Sequence, residues 1–212
     1  TLAIADLAGA YSLDDVIQRL SAFADRALGQ AIAEAARKRT KLDSVDGFFA
    51  IALGKHGARE LNYSSDIDPI LLFDPDVLAE GERSGPADTA QRMARDILRL
   101  LSDHTEEGYV FRVDLRLRPA AEITPLAVSV NAALSHYESA ALAWERAAFI
   151  RARSAAGDIE RGERFLATIR PFVWRRSVDF GTIDDIAQLR LRIREAYSGE
   201  PELGPGFDLK RG

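Results

Sequence analysis

Two short apolar runs enclose a glycine turn and a pair of aspartates, and they restrict the possible folds more than any other part of the chain. The first run, GFFAIAL, ends at Gly54, and the second, PILLF, directly follows Asp66-Ile67-Asp68. Runs of this length and composition, bounded by turn residues, predict buried β-strands. Because successive side chains of an extended segment point to opposite faces, Asp66 and Asp68 should share one face, with their Cα atoms about 6.5–7 Å apart.

The segment between the two runs predicts a compact connection. GKHG predicts a tight turn, and ARELNY is long enough for about one and a half helical turns. Pro69 has no backbone N–H to donate, which predicts an edge position or a bulge directly after the carboxylates.

The rest of the chain combines helical patterns with one extended pattern. Apolar spacing predicts a helix over residues 13–38, with Ser12 as its N-cap and Asp15 three residues further on. Strict alternation predicts a strand over residues 109–119, with one apolar face in the core and three arginines around Asp114 on the other. Further helices are predicted near residues 88–106, 129–140, 142–153, 158–176 and 182–198, with Pro171 kinking or ending the one over 158–176.

These patterns predict an α+β fold in three parts. An N-terminal helical segment covers residues 1–45, and a core of strands and helices covers residues 46–128. A helical C-terminal part covers residues 129–212 and stops in a loop that looks cut short.

Composition narrows the possible chemistry. The 212 residues are 47% hydrophobic and 29% charged, as is usual for ordered globular proteins. The absence of cysteine excludes disulfides and cysteine-bound zinc or iron–sulfur centres. Carboxylates and three histidines remain as strong metal ligands, and Mg²⁺ fits that set best. The histidines show no paired spacing, so we expect them to be ordinary core or surface residues.

Charge and hydropathy predict where the protein is located and which classes of partner it lacks. A net charge of −5 argues against general nucleic-acid binding, which needs a field of positive charge. The chain has no run of 18 apolar residues, and its acidic N-terminus lacks the basic region of a signal peptide. We therefore expect a cytoplasmic protein with neither a membrane nor a nucleic-acid partner.

The aspartates suggest metal-dependent phosphoryl or nucleotidyl transfer, in which metal ions neutralise developing charge and align the reacting oxygens. If the strand that carries Asp114 lies beside Asp66 and Asp68, an interstrand spacing of about 4.8 Å brings three carboxylates to the same ions. Gly54 permits backbone conformations that let amide groups face a phosphate, and Lys55 adds a cation.

Two other groups of residues have alternative interpretations. The arginines of the predicted strand face either counter phosphate charge or form an ordinary solvated face; they are Arg112, Arg116 and Arg118. Trp144-Glu145-Arg146 is interpreted as helix packing with an adjacent charge pair rather than as a cofactor site.

The pattern Gly54-x11-Asp66-x-Asp68, with a third aspartate further on, resembles the signature of the polymerase β-like nucleotidyltransferase superfamily. The fuller GKHGARELNYSSDID, together with GYVFRVDLRLRP and AWERAAFIRAR, is similar to the glutamine synthetase adenylyltransferases. The resemblance runs from about residue 12 to the end of the chain. It implies a polymerase β-like nucleotidyltransferase core, which is a small mixed sheet with helices, and additional N- and C-terminal helical segments.

The resemblance also implies roles for particular residues. The Mg²⁺ ligands and catalytic carboxylates would be Asp66, Asp68 and Asp114. Nucleotide phosphates would be bordered by a second set, which comprises Gly54, Lys55, Arg59 and Ser65.

Full-length members of that family carry two catalytic halves with opposite activities. The N-terminal half removes AMP from glutamine synthetase by phosphorolysis and yields ADP, whereas the C-terminal half attaches AMP from ATP to a tyrosine. RPFVWRRSVDFG and the final DLKRG resemble the N-terminal, adenylyl-removing half. The implied partners are glutamine synthetase, ATP or ADP with phosphate, and a regulatory signalling protein. Adenylylation by ATP, and nucleotide binding without turnover, are the alternatives.

Overall fold

The computed structural model describes residues 2–81 and 84–174, together with positions 187 and 191. The helices in these residues are α1 (Leu2–Leu7), α2 (Leu13–Thr40), α3 (Gly54–Ala58), α4 (Pro86–Ser102), α5 (Val130–Ser139), α6 (Ala143–Phe149) and α7 (Ile159–Val173). The strands are β1 (Phe48–Ala52), β2 (Pro69–Phe73), β3 (Ala127–Ser129) and β4 (Arg153–Gly157).

The four strands form one mixed sheet in the order β3-β2-β1-β4. β1 is antiparallel to both β2 and β4, whereas β2 is parallel to β3. Ala52 at the end of β1 pairs with Pro69 on one side and with Arg153 on the other. The end of β1 and the starts of β2 and β4 therefore lie at the same end of the sheet. The predicted α+β class with a small mixed sheet is confirmed.

Helix α2 follows from signals that are local in the sequence. The Ser12 hydroxyl accepts a hydrogen bond from the Asp15 N–H over 3.2 Å, and the Asp15 carboxylate accepts one from the Ser12 N–H over 3.1 Å. This reciprocal capping box fixes the start of the helix. The predicted helix is confirmed, and it extends to Thr40 before Lys41 enters the left-handed region at φ 62°.

The sheet lies between two helical layers. Phe48 and Ala50 of β1 pack into one apolar cluster with α2 and α4, whereas Phe49 and Ile51 pack into a second cluster with α5 and α7. All four side chains are fully buried. The period-2 alternation of an extended strand thus supplies both core layers from one short segment.

The strand predicted over residues 109–119 is wrong. The segment contains a single bridge, at Val113, and Tyr109 is 41% exposed although it was assigned to the face in the core. The N–H groups of Val110 and Phe111 both donate to the carbonyl of Leu101 near the end of α4. Because a helix end takes these donors, no ladder with a neighbouring strand forms.

Three smaller predictions around the glycine turn are also wrong. GKHG is part of helix α3, and ARELNY forms no helix because Arg59 ends α3 in the left-handed region at φ 60°. Pro69 is the first residue of β2, an interior strand that pairs with β1 without a bulge. Proline is tolerated there because the first residue of a strand can dispense with its donor.

The helix predicted near residues 88–106 ends at Ser102.

The C-terminal region is less uniformly helical than predicted. Helices α5, α6 and α7 correspond to the predictions near residues 129–140, 142–153 and 158–176, but strand β4 was missed. Pro171 lies inside α7, which ends two residues later at Val173. Apart from positions 187 and 191, which are helical, the helix predicted over residues 182–198 lies outside the described residues, as does the final loop. No helix in the described part of the chain is both long and apolar enough to cross a membrane.

Candidate active site

The glycine turn and the aspartates meet at one end of the sheet. β1 runs into Gly54 and β2 starts just after Asp68, and the antiparallel pairing of these strands brings the two residues together. The N–H of Leu53 donates to the carbonyl of Asp68 over 3.1 Å. A Cβ on Gly54 would lie 2.9 Å from Oδ2 of Asp68, so glycine at this position leaves room for the carboxylate.

Asp66, Asp68 and Asp114 lie on one face of two paired segments. Between the first two, Ile67 is fully buried and forms a parallel bridge with Val113, and both belong to the core beneath α2 and α4. The N–H of Asp114 donates to the carbonyl of Ile67 over 2.9 Å. Because the neighbours of an inward-pointing residue point outward in extended backbone, the three aspartates face away from that core. The two segments are adjacent, as hypothesised from the sequence, through one bridge rather than through a strand ladder.

Arginines bind two of the three carboxylates. Arg112 Nε donates to Oδ1 of Asp66 over 2.5 Å, and Arg116 Nε lies 3.0 and 2.8 Å from the two oxygens of Asp114. These hydrogen bonds raise the pKa of both guanidinium groups, and the charges of Asp68 and Asp66 add to the effect at Arg116. The Arg116 side chain is 85% exposed, so its ion pair is of the weak, solvent-screened kind.

The third arginine of the predicted face has a different role. The Arg118 guanidinium donates to a set of backbone carbonyls in the loop that follows, those of Leu115, Ala121, Thr124 and Pro125. The arginine face therefore divides: Arg112 and Arg116 lie at the carboxylates, and Arg118 holds the shape of the loop.

The three aspartates have the donor type that Mg²⁺ requires, since hard carboxylate oxygens are its usual protein ligands. In the described residues, no group of three or more His, Asp or Glu side chains is arranged to hold a metal ion. Asp66 and Asp114 are instead held by guanidinium groups. The residues thus fit the ion in donor chemistry.

The candidate phosphate-binding residues lie at separate points of the connection from β1 to β2. Lys55 is exposed at the start of α3, beside the carboxylate end of the sheet. The Ser65 hydroxyl donates to Oδ1 of Asn62 over 2.8 Å and accepts from the Asn62 N–H, which fixes a turn just before the aspartates. Arg59 is half-exposed, and its guanidinium lies 3.7 Å from Asp25.

A partly buried ionic cluster behind α3 was missed by the sequence analysis. His56 is fully buried with its Nε2 2.8 Å from Oδ1 of Asp25, and Arg153 donates to the same oxygen over 2.6 Å and to the His56 carbonyl over 3.1 Å. Burial alone would raise the pKa of Asp25, but hydrogen bonds with His56 and Arg153 outweigh it and lower the pKa. The cluster ties α3 to α2 and β4. The one available signal was a charged residue, Asp25, directly beside the apolar stripe of α2.

A second pair, which contains a buried carboxylate, was also missed. Glu145 was assigned to a charge pair with its neighbour, but its carboxylate lies 2.7 Å from Nε2 of His136 on α5. Its other oxygen accepts from the Leu142 N–H over 2.7 Å and so caps α6. Glu145 is 3% exposed, which makes this pair part of the packing between α5 and α6.

Comparison with known proteins shows which family this chain belongs to. A family model described as glutamate-ammonia ligase adenylyltransferase matches residues 1–168. The chain belongs to that family. A relative from Caulobacter vibrioides is 43% identical over 99% of the chain, one from Xanthobacter autotrophicus 42% over 100%, and one from Rhizobium meliloti 41% over 100%.

Each of these three relatives is named a bifunctional glutamine synthetase adenylyltransferase/adenylyl-removing enzyme, and the chain spans 22% of the length of each. The resemblance drawn from GKHGARELNYSSDID is therefore confirmed. Because the relatives' name joins both activities, membership of the adenylyltransferase family does not by itself distinguish removal of AMP from its attachment.

Proposed function

We propose that this chain is a Mg²⁺-dependent nucleotidyl-transfer domain that removes AMP from an adenylylated tyrosine of glutamine synthetase by phosphorolysis. The observation that carries the proposal is the common outward face of Asp66, Asp68 and Asp114, at the end of the sheet where Gly54 leaves space for a carboxylate. The names of the relatives support the reaction class and point to glutamine synthetase as the protein substrate.

In the proposed reaction, an oxygen of inorganic phosphate attacks the phosphorus of the tyrosyl-AMP ester. The new P–O bond produces ADP, the bond from phosphorus to the tyrosine oxygen breaks, and the phenolate takes up the proton that the attacking phosphate releases. In such transfers the protein takes little part in covalent chemistry. It contributes by positioning the reactants and by stabilising the charge that develops.

Each residue at the sheet end has a part in this proposal. Asp66, Asp68 and Asp114 would hold Mg²⁺, which supplies neutralisation of phosphate charge and alignment of the attacking and leaving oxygens. Arg116 is free to rotate away from Asp114 because it is largely exposed, and its planar fork suits a bidentate contact with phosphate. Lys55 adds an exposed positive charge beside the same face.

Gly54, Ser65 and Arg59 complete the proposed phosphate surroundings. Gly54 borders the phosphates through its backbone, which has no side chain to hold them off. Ser65 and Arg59 lie on the connection between α3 and the aspartates, where their described bonds to Asn62 and Asp25 keep that connection in place.

Removal of AMP is favoured over its attachment by RPFVWRRSVDFG, most of which lies outside the described residues. The opposite direction is kept as a second candidate because the relatives' name includes adenylyltransferase. ATP labelled in its α-phosphate, incubated with the chain and unmodified glutamine synthetase, distinguishes the two. Transfer of label to the synthetase would identify attachment, and release of labelled ADP from adenylylated synthetase would identify removal.

Replacing either Asp66 or Asp68 by Asn tests the site directly. Each variant should lower ADP release from adenylylated glutamine synthetase by about a hundredfold or more, since a metal ligand in such a site supplies several kcal/mol. The matched control is Asp43→Asn, which alters an exposed carboxylate in the loop after α2 and should leave the rate unchanged. Omission of phosphate should also stop the reaction. Unchanged turnover in both site variants, with folding verified by circular dichroism, would refute the assignment.

A further inference from the structure

A cleft of about 770 Å³ opens between the loop that follows Asp114 and helices α5 and α6. Arg116 lines this cleft and also binds Asp114, so the cleft adjoins the carboxylate face of the candidate active site. Pockets for small ligands commonly have volumes of about 300–1,000 Å³, and the cleft falls within that range.

Most of the surface that lines the cleft is apolar, and the charged side chains of Arg116, Arg118, Glu122 and Glu145 also line it. Ile123 is 87% exposed and Leu142 is 59% exposed, and both line the cleft together with the aromatic surface of Trp144. Apolar side chains that face one concavity are typical of a ligand-binding groove. Flat heteroaromatic rings stack favourably on surfaces of this kind.

Buried and backbone hydrogen bonds hold the cleft in shape. On one side, the Arg118 guanidinium donates to the carbonyls of Ala121 and Thr124, which fixes the loop wall. On the other side, the buried Glu145 lies 2.7 Å from His136 and joins α6 to α5. A wall that is already ordered loses little conformational entropy when a ligand binds.

We propose that this cleft binds the adenine and ribose of the nucleotide whose phosphates lie at the three aspartates. The inference rests on the proposed function, which supplies the phosphate end of the ligand. The apolar side chains of the cleft suit a base, and Arg116 at its boundary with Asp114 suits the negatively charged phosphates that follow the base. A nucleoside in the cleft therefore directs its phosphates toward Asp114.

Binding of two probes to the full 212-residue chain tests the proposal: ADP with Mg²⁺, and pyrophosphate with Mg²⁺. Ile123→Ser removes an apolar wall without adding charge, and should weaken ADP binding about tenfold while leaving pyrophosphate binding within about twofold. Ile4→Ser is the matched control, because Ile4 is 73% exposed on α1, away from the cleft, and this change should alter neither affinity. Isothermal titration calorimetry measures both constants.

Tryptophan fluorescence gives a second, independent readout. The chain has two tryptophans, and Trp174→Phe leaves Trp144 as the single reporter. ADP should change its emission, whereas pyrophosphate should not. Equal ADP affinities in Ile123→Ser and Ile4→Ser, no ADP binding, or no response of Trp144 would overturn the proposal.

The outcomes for the cleft and for the reaction are separable. Loss of turnover for adenylylated synthetase in Ile123→Ser, with unchanged ADP affinity, would assign the cleft to the protein substrate and also overturn the proposal. Conversely, an inactive but ADP-binding wild-type chain that shows the expected Ile123→Ser effect would support the cleft while refuting the proposed reaction.

Discussion

Gly54 adopts φ +56°, in the left-handed region where a residue with a Cβ is strained. The same Cβ would lie 2.9 Å from Oδ2 of Asp68. Gly54→Ala should therefore lower the free energy of unfolding by about 1 kcal/mol and also displace the carboxylate. Because a shift of about 1 Å in a catalytic group can cost a hundredfold in rate, ADP release should fall by about that factor. Urea unfolding and the phosphate-dependent assay measure the two effects.

Gly9 provides the control that separates backbone strain from displacement of Asp68. It has φ +69°, but a Cβ added there would have no neighbour within 4 Å. Gly9→Ala should lose a similar amount of stability and retain full activity. If Gly54→Ala were as active as Gly9→Ala, the position of Asp68 would not depend on the glycine.

At the scale of elements, Asp96 of α4 joins the two helices that cover one face of the sheet. It is 3% exposed and accepts hydrogen bonds from Lys38 over 3.1 Å and from Arg39 over 2.5 Å, both in the last turn of α2. Burial alone would raise the pKa of Asp96, but these bonds outweigh it and lower the pKa. Asp96→Asn should cost about 1.5–3 kcal/mol of unfolding free energy at pH 7, the range for hydrogen bonds to charged groups.

The lowered pKa of Asp96 also fixes the sign of its pH dependence. The stabilisation is fully present above the unfolded-state pKa, about 3.9, and is lost as pH falls through the lower folded-state pKa. Asp88→Asn on the same helix is the control, since Asp88 and Arg92 are 49% and 44% exposed and their pair should contribute less than about 1 kcal/mol. Urea titrations at pH 7 and pH 3 measure the loss of unfolding free energy in both variants. Equal losses at pH 7, or a loss for Asp96→Asn that does not shrink at pH 3, would contradict the prediction.

The elements that sequence analysis predicted well depend on local signals, and those it missed depend on distant partners. Helix α2 has its capping box and apolar stripe within one segment, so its start could be predicted from Ser12 and Asp15. Strand β4 is the short segment RSAAG, and it becomes a strand only by pairing with β1 about a hundred residues earlier in the chain. Residues 109–119 have the alternation of a strand, but within the described part of the chain they form only one bridge, at Val113.

The candidate site also combines residues that local spacing predicts with residues that depend on distant partners. The common face of Asp66 and Asp68 follows from their spacing in extended backbone, and Ile67 between them is buried as that spacing requires. The cluster of Asp25, His56 and Arg153 could not be predicted, because its members come from three separate elements and no pairwise spacing in the sequence connects them.

At the scale of the whole molecule, the residues beyond 128 complete the sheet and its second core layer. β4 pairs along β1, and α7 places Phe165 and Ile169 against the face that carries Phe49 and Ile51. A boundary at residue 128 therefore cuts through one sheet and one apolar cluster. We propose that the unit that folds cooperatively includes α7 and so extends to residue 174.

Two fragments of the chain test that proposal. A fragment of residues 1–128 would uncover four fully buried side chains, Phe49, Ile51, Ile70 and Leu72. Their burial contributes roughly 6–12 kcal/mol in total, which is comparable to the entire stability of a typical domain, about 5–15 kcal/mol. The short fragment should therefore bind a hydrophobic dye such as ANS and melt without a cooperative transition, whereas a fragment of residues 1–174 should melt cooperatively near the midpoint of the full chain. A cooperative transition for residues 1–128 at that same midpoint would show that the folding unit ends before β4 and α7.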